Sequence, residues 1–507
     1  MAILSDHSLE FAKEHISKFY DSDFFPKSSE FDAIWHHWPE VKKELLSKNV
    51  SKMWIAPPRA MAAPKPRGGY RIVHQLEPIE ALVYTALAAE VAFDVEAARA
   101  NETLHIACAS RFKLADGSFF AGGTGWAEFN QRTETLAKGH EHILALDITD
   151  FYNQIYLHRL NNAIEHANPA KKNFADEIEK FISTVNSKSS QGVPVGPAAS
   201  IVMSEAVLID VDALIIDLGF SHTRYVDDFR IFANSKRELN RLLERLTLYL
   251  YENHRLTISS EKTKIWLSAE FITHHLHNHY TEEKIEIYET LEVFNPYTDD
   301  MEEIEVLVDD EEQIKSAQFT KALERVLSFE QLDLGLARSI IRSAKRHNIP
   351  SIAELLIQNA SFFAPVINDV VLYLAEVTTD ELIVTLLPSI KALLSSDVVD
   401  NELVRFWIEW YLARYQAFLF QADIHTFIFS GGNVENQARA AITEKNLAWV
   451  RDHKTSIFNL GGWARRAVLN AARILPGDEK KNWLGLVIAN SPIILDRWVA
   501  NWVLETT

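Results

Sequence analysis

A chain of 507 residues with 47% hydrophobic content can bury more than one core, and its length points to two or more domains. Its formal net charge of −19 is the wrong sign for gripping a long duplex through many phosphates. No run of about 18 uninterrupted apolar residues and no basic-then-apolar leader occurs, so neither a membrane span nor export is expected and the chain reads as cytoplasmic. The single cysteine, Cys108, excludes an internal disulfide and fits a reducing compartment.

In chain order, the first strong signal is the apolar run 143–146 ending in Asp147, which predicts a buried strand that delivers a carboxylate at its end, followed by a helix. Asp150 reads as the cap of that helix. Residues 190–200, Ser-Gln-Gly-Val-Pro-Val-Gly-Pro-Ala-Ala-Ser, form a Gly/Pro loop that opens a helix near Ala198. Residues 223–226 and 229–233 are rich in aromatic and β-branched side chains and predict a hairpin with Asp227 and Asp228 at its turn. Ser235 to Glu238 is a capping box, and Leu239, Leu242, Leu243, Leu246 and Leu250 recur at helical spacing. Residues 256–258 then predict another strand. The fold class is α+β, with helices backing an antiparallel sheet.

The texture changes after the acidic run that starts at Asp299-Asp300 and continues to Glu311-Glu312. Residues 1–270 carry 30 Lys+Arg against 36 Asp+Glu, so −13 of the −19 lies beyond them. The run predicts a solvated linker over 286–315, separating a domain at 1–285 from an all-α domain at 316–507. Apolar residues at helical spacing, broken by Pro, Asn or Ser, suggest stacked helix pairs of solenoid type. Seven of the 12 tryptophans lie there, from Trp407 to Trp502, and are expected mainly in the core.

Two adjacent aspartates repel each other, and a site that holds them together calls for a divalent cation, although Asp also suits a solvated turn. Asp147 at a strand end and Asp227 at a hairpin turn, on neighbouring strands, could hold two Mg²⁺ ions about 3.5–4 Å apart. The loop with Gly192 and Gly196 lets the backbone approach a base or sugar closely, or is a plain turn. His274, His275, His277 and His279 could ligate a transition metal but read more simply as polar surface. Cys108 reads as packed.

Taken together, these motifs resemble those of reverse transcriptases. Leu146-Asp147-Ile148-Thr149-Asp150-Phe151-Tyr152 is similar to their motif A, Gln191-Gly192-Val193-Pro194-Val195-Gly196 to motif B, Tyr225-Val226-Asp227-Asp228 to motif C, and Ser260-Glu261-Lys262-Thr263-Lys264 to motif D. Lys65-Pro66-Arg67-Gly68-Gly69-Tyr70-Arg71 resembles the fingers segment. The resemblance covers roughly residues 50 to 270. It implies a fingers-palm domain at 1–285 and a two-metal DNA polymerase site using Mg²⁺, with Mn²⁺ as a substitute. Asp147, Asp227 and Asp228 would be metal ligands together with the Ile148 backbone. Lys262 would protonate the departing pyrophosphate, Tyr152 would exclude a ribose 2′-hydroxyl, and Lys65, Arg67, Arg71, Gln191 and Gly192 would bind the dNTP.

The departures from that family are informative too. No Phe-Leu-Gly primer grip follows Lys264, no basic thumb follows it, and nothing suggests a ribonuclease H domain. A palm with such variants, followed by a HEAT-like helical domain, resembles the bacterial abortive-infection (Abi) reverse transcriptases of the AbiK-like group. That resemblance implies antiviral defence by template-independent, protein-primed DNA synthesis starting from a tyrosine hydroxyl. It further implies single-stranded DNA attached covalently to the chain, and a closed homo-oligomer, a trimer or hexamer. Tyr20 and Tyr280 are candidate primers. The alternatives are a retron-like enzyme copying a partner RNA and a non-catalytic scaffold.

Overall fold

The computed structural model describes residues 2–123, 125–278, 284, 287 and 311–507, without the side chains of 311–314. Their contacts form two units. The first comprises residues 2–23, 42–60 and the described part of 73–304. The second comprises residues 24–41, 61–72 and the described part of 305–507. Two N-terminal segments thus group with the C-terminal helices, which a division at the acidic run alone does not capture. Most of that run, with Tyr280 and His279, lies outside the described residues. The helix Glu311–Leu327 already starts inside the expected linker, and acidic residues at a helix start are favoured by its dipole.

Strands β1 (Arg59–Pro64) and β2 (Tyr70–Gln75) pair in one ribbon, and β3 (Phe112–Ala115) and β4 (Ser118–Phe120) in another. The main sheet of the first unit contains β5 (His142–Asp147), β6 (Ser221–Tyr225), β7 (Asp228–Ala233) and β8 (Lys264–Leu267), in the order β6-β7-β5-β8 with every pair antiparallel. Ile143, Leu144, Phe229, Ile231 and Phe232 are at most 1% exposed, which explains why these strands read as continuous apolar runs rather than alternating ones. The helices Pro78–Ala98 and Ala199–Asp217 are buried nearly all round and share a hydrogen bond of 3.0 Å between the Tyr84 hydroxyl and Ser200 Oγ.

Three local expectations change. The strand expected at 256–258 is reduced to one bridge between Ile148 and Ile258, because Lys264–Leu267 takes the free edge of β5 instead. Ser235 occupies the cap position of the helix Lys236–Tyr249 without a side-chain hydrogen bond, so the capping box does not close. Asp150 precedes the helix Phe151–Gln154 in left-handed conformation (φ 47°), and its carboxylate accepts from the Asn153 side chain at 2.8 Å rather than from backbone.

The second unit is built of helices. Trp407 is 1% exposed, and Trp410, Trp449 and Trp498 are each 8% exposed, in the core as expected. The Trp407 indole donates to the Phe24 carbonyl at 2.8 Å, and a buried ion pair of 2.9 Å joins Arg466 to Glu30, which anchors residues 24–41 to the C-terminal helices. Among the described residues one stretch, Ala360–Val377, reaches the length and mean hydropathy (1.4) of a membrane span, but 67% of it is buried inside the unit, as in a core helix.

Candidate active site

Strand β5 ends at Asp147, which is registered opposite Asp228, the first residue of β7. The hairpin turn beside it places Asp227 next in sequence. Burial, reinforced by the negative charges of Asp147 and Asp228, pushes the Asp227 carboxyl up to about 7. Asp228 is also raised, first by burial and then by Asp147, with Arg230 opposing. Asp147, Asp227 and Asp228 are therefore coupled electrostatically.

Val226 in that turn has φ 55°, a left-handed conformation that costs a β-branched residue on the order of 1–3 kcal/mol. What holds it is a network that composition and motif did not reveal. The Arg224 side chain is wholly buried; its Nη1 donates to the Val226 carbonyl at 3.2 Å and to Glu205 Oε1 at 3.0 Å, and its Nε reaches both oxygens of Asp212 at 2.9 Å. Arg99 joins Glu205 at 2.8 Å, and His222 Nε2 lies 3.1 Å from Asp212 Oδ1. Burial would raise Asp212, but the Arg224 guanidinium beside it draws it down to about 2. The only sequence signal for this network was a pair of acids, Glu205 and Asp212, inside an otherwise apolar helix.

Lys262 reaches the same place from the other side. Its Nζ lies 2.8 Å from Asp147 Oδ2. It is delivered there because the Ser259 N–H donates to the Asp147 carbonyl and the Thr149 N–H to the Thr257 carbonyl, each at 2.8 Å. These bonds flank Ile148, which bridges to Ile258.

Tyr152 is the second residue of the short helix after β5, Phe151–Gln154. Its carbonyl accepts from Val193 N at 2.9 Å, and its hydroxyl accepts from Ser204 Oγ at 3.3 Å. Gln191 donates from Nε2 to Gln154 Oε1 at 2.6 Å, and Gly192 N donates to the Ile155 carbonyl at 2.8 Å. The Gly/Pro loop is thus docked on the helix that carries Tyr152. Gly196 sits at φ 130°, and a Cβ there would fall 2.4 Å from Ser22 Oγ and 2.8 Å from the His74 carbonyl. Replacing Gly196 by valine should therefore unseat the loop and cut nucleotide incorporation at least about tenfold, read by single-turnover kinetics. His74, which sequence reasoning left without a role, accepts at Nδ1 from Val195 N at 3.1 Å; burial lowers its pKa and favours the neutral ring that accepting requires.

Lys65, Arg67 and Arg71 are exposed, on a ribbon whose residues 61–72 belong to the second unit, and Arg67 Nε donates to Gln331 Oε1 at 2.9 Å within that unit. His275 lies against Trp266 and Phe271, and His277 faces Glu134 at 3.4 Å; among the described residues these histidines form no three-ligand group. Cys108 is buried, its thiol pushed up by burial and facing Thr223, in agreement with a packed role.

Residues 63–307 match the reverse transcriptase (RNA-dependent DNA polymerase) family. The chain carries a reverse transcriptase domain. The match spans just under half of the sequence, and no curated protein matches the sequence. Among solved structures, the telomerase of Candida albicans with a fragment of telomeric RNA is similar at 11% identity and a TM-score of 0.32, covering 71% of this chain and 65% of that one. The apo telomerase of Candida tropicalis is similar at 11% identity and 0.34, covering 78% and 74%. The RNA-bound form of the latter gives 14% and 0.36, covering 78% and 67%. At such scores these likenesses add nothing to the domain assignment. The α+β unit followed by a helical one is the arrangement of a fingers-palm domain with a helical extension.

Reverse transcriptase domains use divalent metal ions, and the residues here fit such ions. Asp147, Asp227 and Asp228 supply hard oxygen donors, and the raised pKa of Asp227 marks a negative charge in need of a cation. Bound there, Mg²⁺ would activate an attacking hydroxyl and stabilise a departing pyrophosphate. The chain's own part is to hold the carboxylates in register, to fix the strained turn through Arg224, and to present the Lys262 ammonium beside Asp147.

A pH dependence follows. The folded-state pKa of Asp227 lies above the ordinary carboxylate value, so its ionisation destabilises the metal-free protein as pH rises from about 4 to 7. Mg²⁺ must displace that proton below pH 7. Thermal melts should therefore show Mg²⁺ stabilising the protein more at pH 8 than at pH 6, and Asp227→Asn should flatten the difference.

Proposed function

We propose that this protein is a reverse-transcriptase-type DNA polymerase that adds dNTPs without a template, starting from a tyrosine hydroxyl of its own chain, as part of an abortive-infection response to phage. The observation that carries the untemplated part is the charge distribution: −13 of the net −19 follows residue 270, where a templated enzyme needs a basic surface for its duplex. A primer that belongs to the chain is present at high effective concentration and needs no duplex grip. The motif variants and the helical extension support the abortive-infection reading, and a closed homo-oligomer carrying covalently attached single-stranded DNA goes with it.

Among the described tyrosines, Tyr20, Tyr70 and Tyr251 are exposed (37%, 61% and 61%) and are the candidates for priming. Tyr225 packs against Trp126 and Phe129, with its hydroxyl pKa raised by burial, and Tyr84, Tyr373 and Tyr411 are buried, so none of these is a candidate.

The test is incubation of the purified protein with Mg²⁺ and labelled dNTPs, without template or primer, followed by denaturing electrophoresis before and after protease. Label that migrates with the protein until digestion is expected, and mass spectrometry of the DNA-linked peptide then names the tyrosine. Synthesis that requires added RNA, or products free of protein, would establish the templated alternative instead.

A further inference from the structure

We propose that His36, His37 and Glu505 form a transition-metal site, suited to Zn²⁺, which ties the corner between the helices Glu30–His36 and Trp38–Leu46 to the last turn of the helix Ile494–Thr506. Each of these side chains offers one ligand atom, and the three atoms lie within 4.8 Å of one another. All three residues belong to the second unit.

Two consecutive histidines on a regular helix diverge by roughly 100° and cannot share an ion. Here the helix stops between them. His37 is the C-cap of Glu30–His36 (φ −101°, ψ 24°), and its carbonyl accepts from Glu40 N and Val41 N of the next helix, each at 3.0 Å. The corner brings the two imidazoles edge to face with centroids 4.8 Å apart. His36 Nε2 lies 2.7 Å from Glu505 Oε2, across 469 residues of sequence.

The second histidine is prepared for ligation. Its Nδ1 lies 3.1 Å from Glu40 Oε2, the carboxylate-to-imidazole contact that fixes the tautomer of metal-binding histidines. That leaves Nε2 with the lone pair. This nitrogen is buried and has no hydrogen-bond partner among the described residues, a state that costs free energy unless an ion or water satisfies it. The His37 side chain is only 11% exposed, whereas His36 and Glu505 are 37% and 55% exposed and can adjust to an incoming ion.

Two imidazoles and one carboxylate are a donor set for Zn²⁺, with water in the fourth position, and a poor one for Mg²⁺, which prefers oxygen. The site therefore takes a different ion from the carboxylates at Asp147 and Asp227. A clip between residues so distant in sequence closes a long loop and removes unfolded-state freedom. The buried Glu30–Arg466 pair anchors the same short helix, so the corner is already in place for the ion.

The test uses the full chain stripped with a chelator and then titrated calorimetrically with ZnCl₂ in the presence of excess Mg²⁺, with Co²⁺ absorption as a second readout. The expected result is one Zn²⁺ per chain, a visible Co²⁺ spectrum with histidine ligation, and a rise in melting temperature. His36→Ala and Glu505→Gln should each weaken Zn²⁺ by at least about tenfold and abolish the thermal shift, and Glu40→Gln should weaken it less. Asp227→Asn and His275→Ala should leave the titration unchanged. The proposal is overturned if wild type binds no Zn²⁺, or if binding persists in His36→Ala and Glu505→Gln but disappears in Asp227→Asn or His275→Ala.

Discussion

Asp227→Asn should abolish dNTP incorporation, by on the order of 10³-fold or more, with circular dichroism unchanged. Asparagine preserves the shape of the side chain, so the turn between β6 and β7 has no steric reason to move. What disappears is a carboxylate whose charge burial and the neighbouring Asp147 and Asp228 disfavour until a cation arrives. Loss of one such ligand removes several kcal/mol of charge stabilisation at the reacting phosphate. The same change should raise the metal-free melting temperature at pH 8, where the native carboxylate is charged and the amide is not. Single-turnover incorporation with labelled dNTPs checks the first effect and calorimetry without metal the second. A scaffold role predicts instead that biological function survives this substitution. Asp150→Asn is the matched control: Asp150 bonds to Asn153 apart from the carboxylate trio, and near-wild-type incorporation is expected.

Arg224→Ala should be among the most destabilising single changes in the first unit, costing about 3–5 kcal/mol, because it leaves Glu205 and Asp212 buried with their main countercharge gone. Urea midpoints measure this. Part of the loss has a pH signature. Asp212 has a folded-state pKa of about 2, below its unfolded value, so its contribution is present above about pH 4 and disappears as pH falls toward 2. The variant should therefore lose the acid limb that Asp212 gives the wild type. Arg224→Lys keeps the charge but cannot serve Asp212, Glu205 and the Val226 carbonyl together. It is expected to recover most of the stability and to leave incorporation well below wild type, which separates positioning of the turn from folding. Equal recovery of both would show that Arg224 acts on stability alone.

Much of the catalytic half was legible because polymerase chemistry constrains residue type and local order together. An apolar run must end in Asp147, a hairpin must turn at Asp227 and Asp228, and a glycine is required at Gly196, where any Cβ would strike the His74 carbonyl. Period and turn chemistry are short-range, so the strand before Asp147, the hairpin and the helix after Ser235 all appear within a residue or two of where they are expected. The expected strand at 256–258 failed because a three-residue Leu-Thr-Ile segment carries no information about which segment wins the edge of β5.

What the sequence determined by itself, then, is which short segments carry the candidate carboxylates, lysine and tyrosine, because each is marked by its own local pattern. Tertiary structure alone decided what holds them. Arg99 at the end of the helix Pro78–Ala98, Glu205 and Asp212 on Ala199–Asp217, and Arg224 on β6 look unremarkable apart, yet they meet in one buried network behind Val226. It also decided that residues 24–41 and 61–72 pack with the C-terminal helices, through contacts such as Glu30 with Arg466 and Trp407 with the Phe24 carbonyl. Pairings across nearly the full length of the chain depend on shape and burial in three dimensions, and no local period in the sequence encodes them.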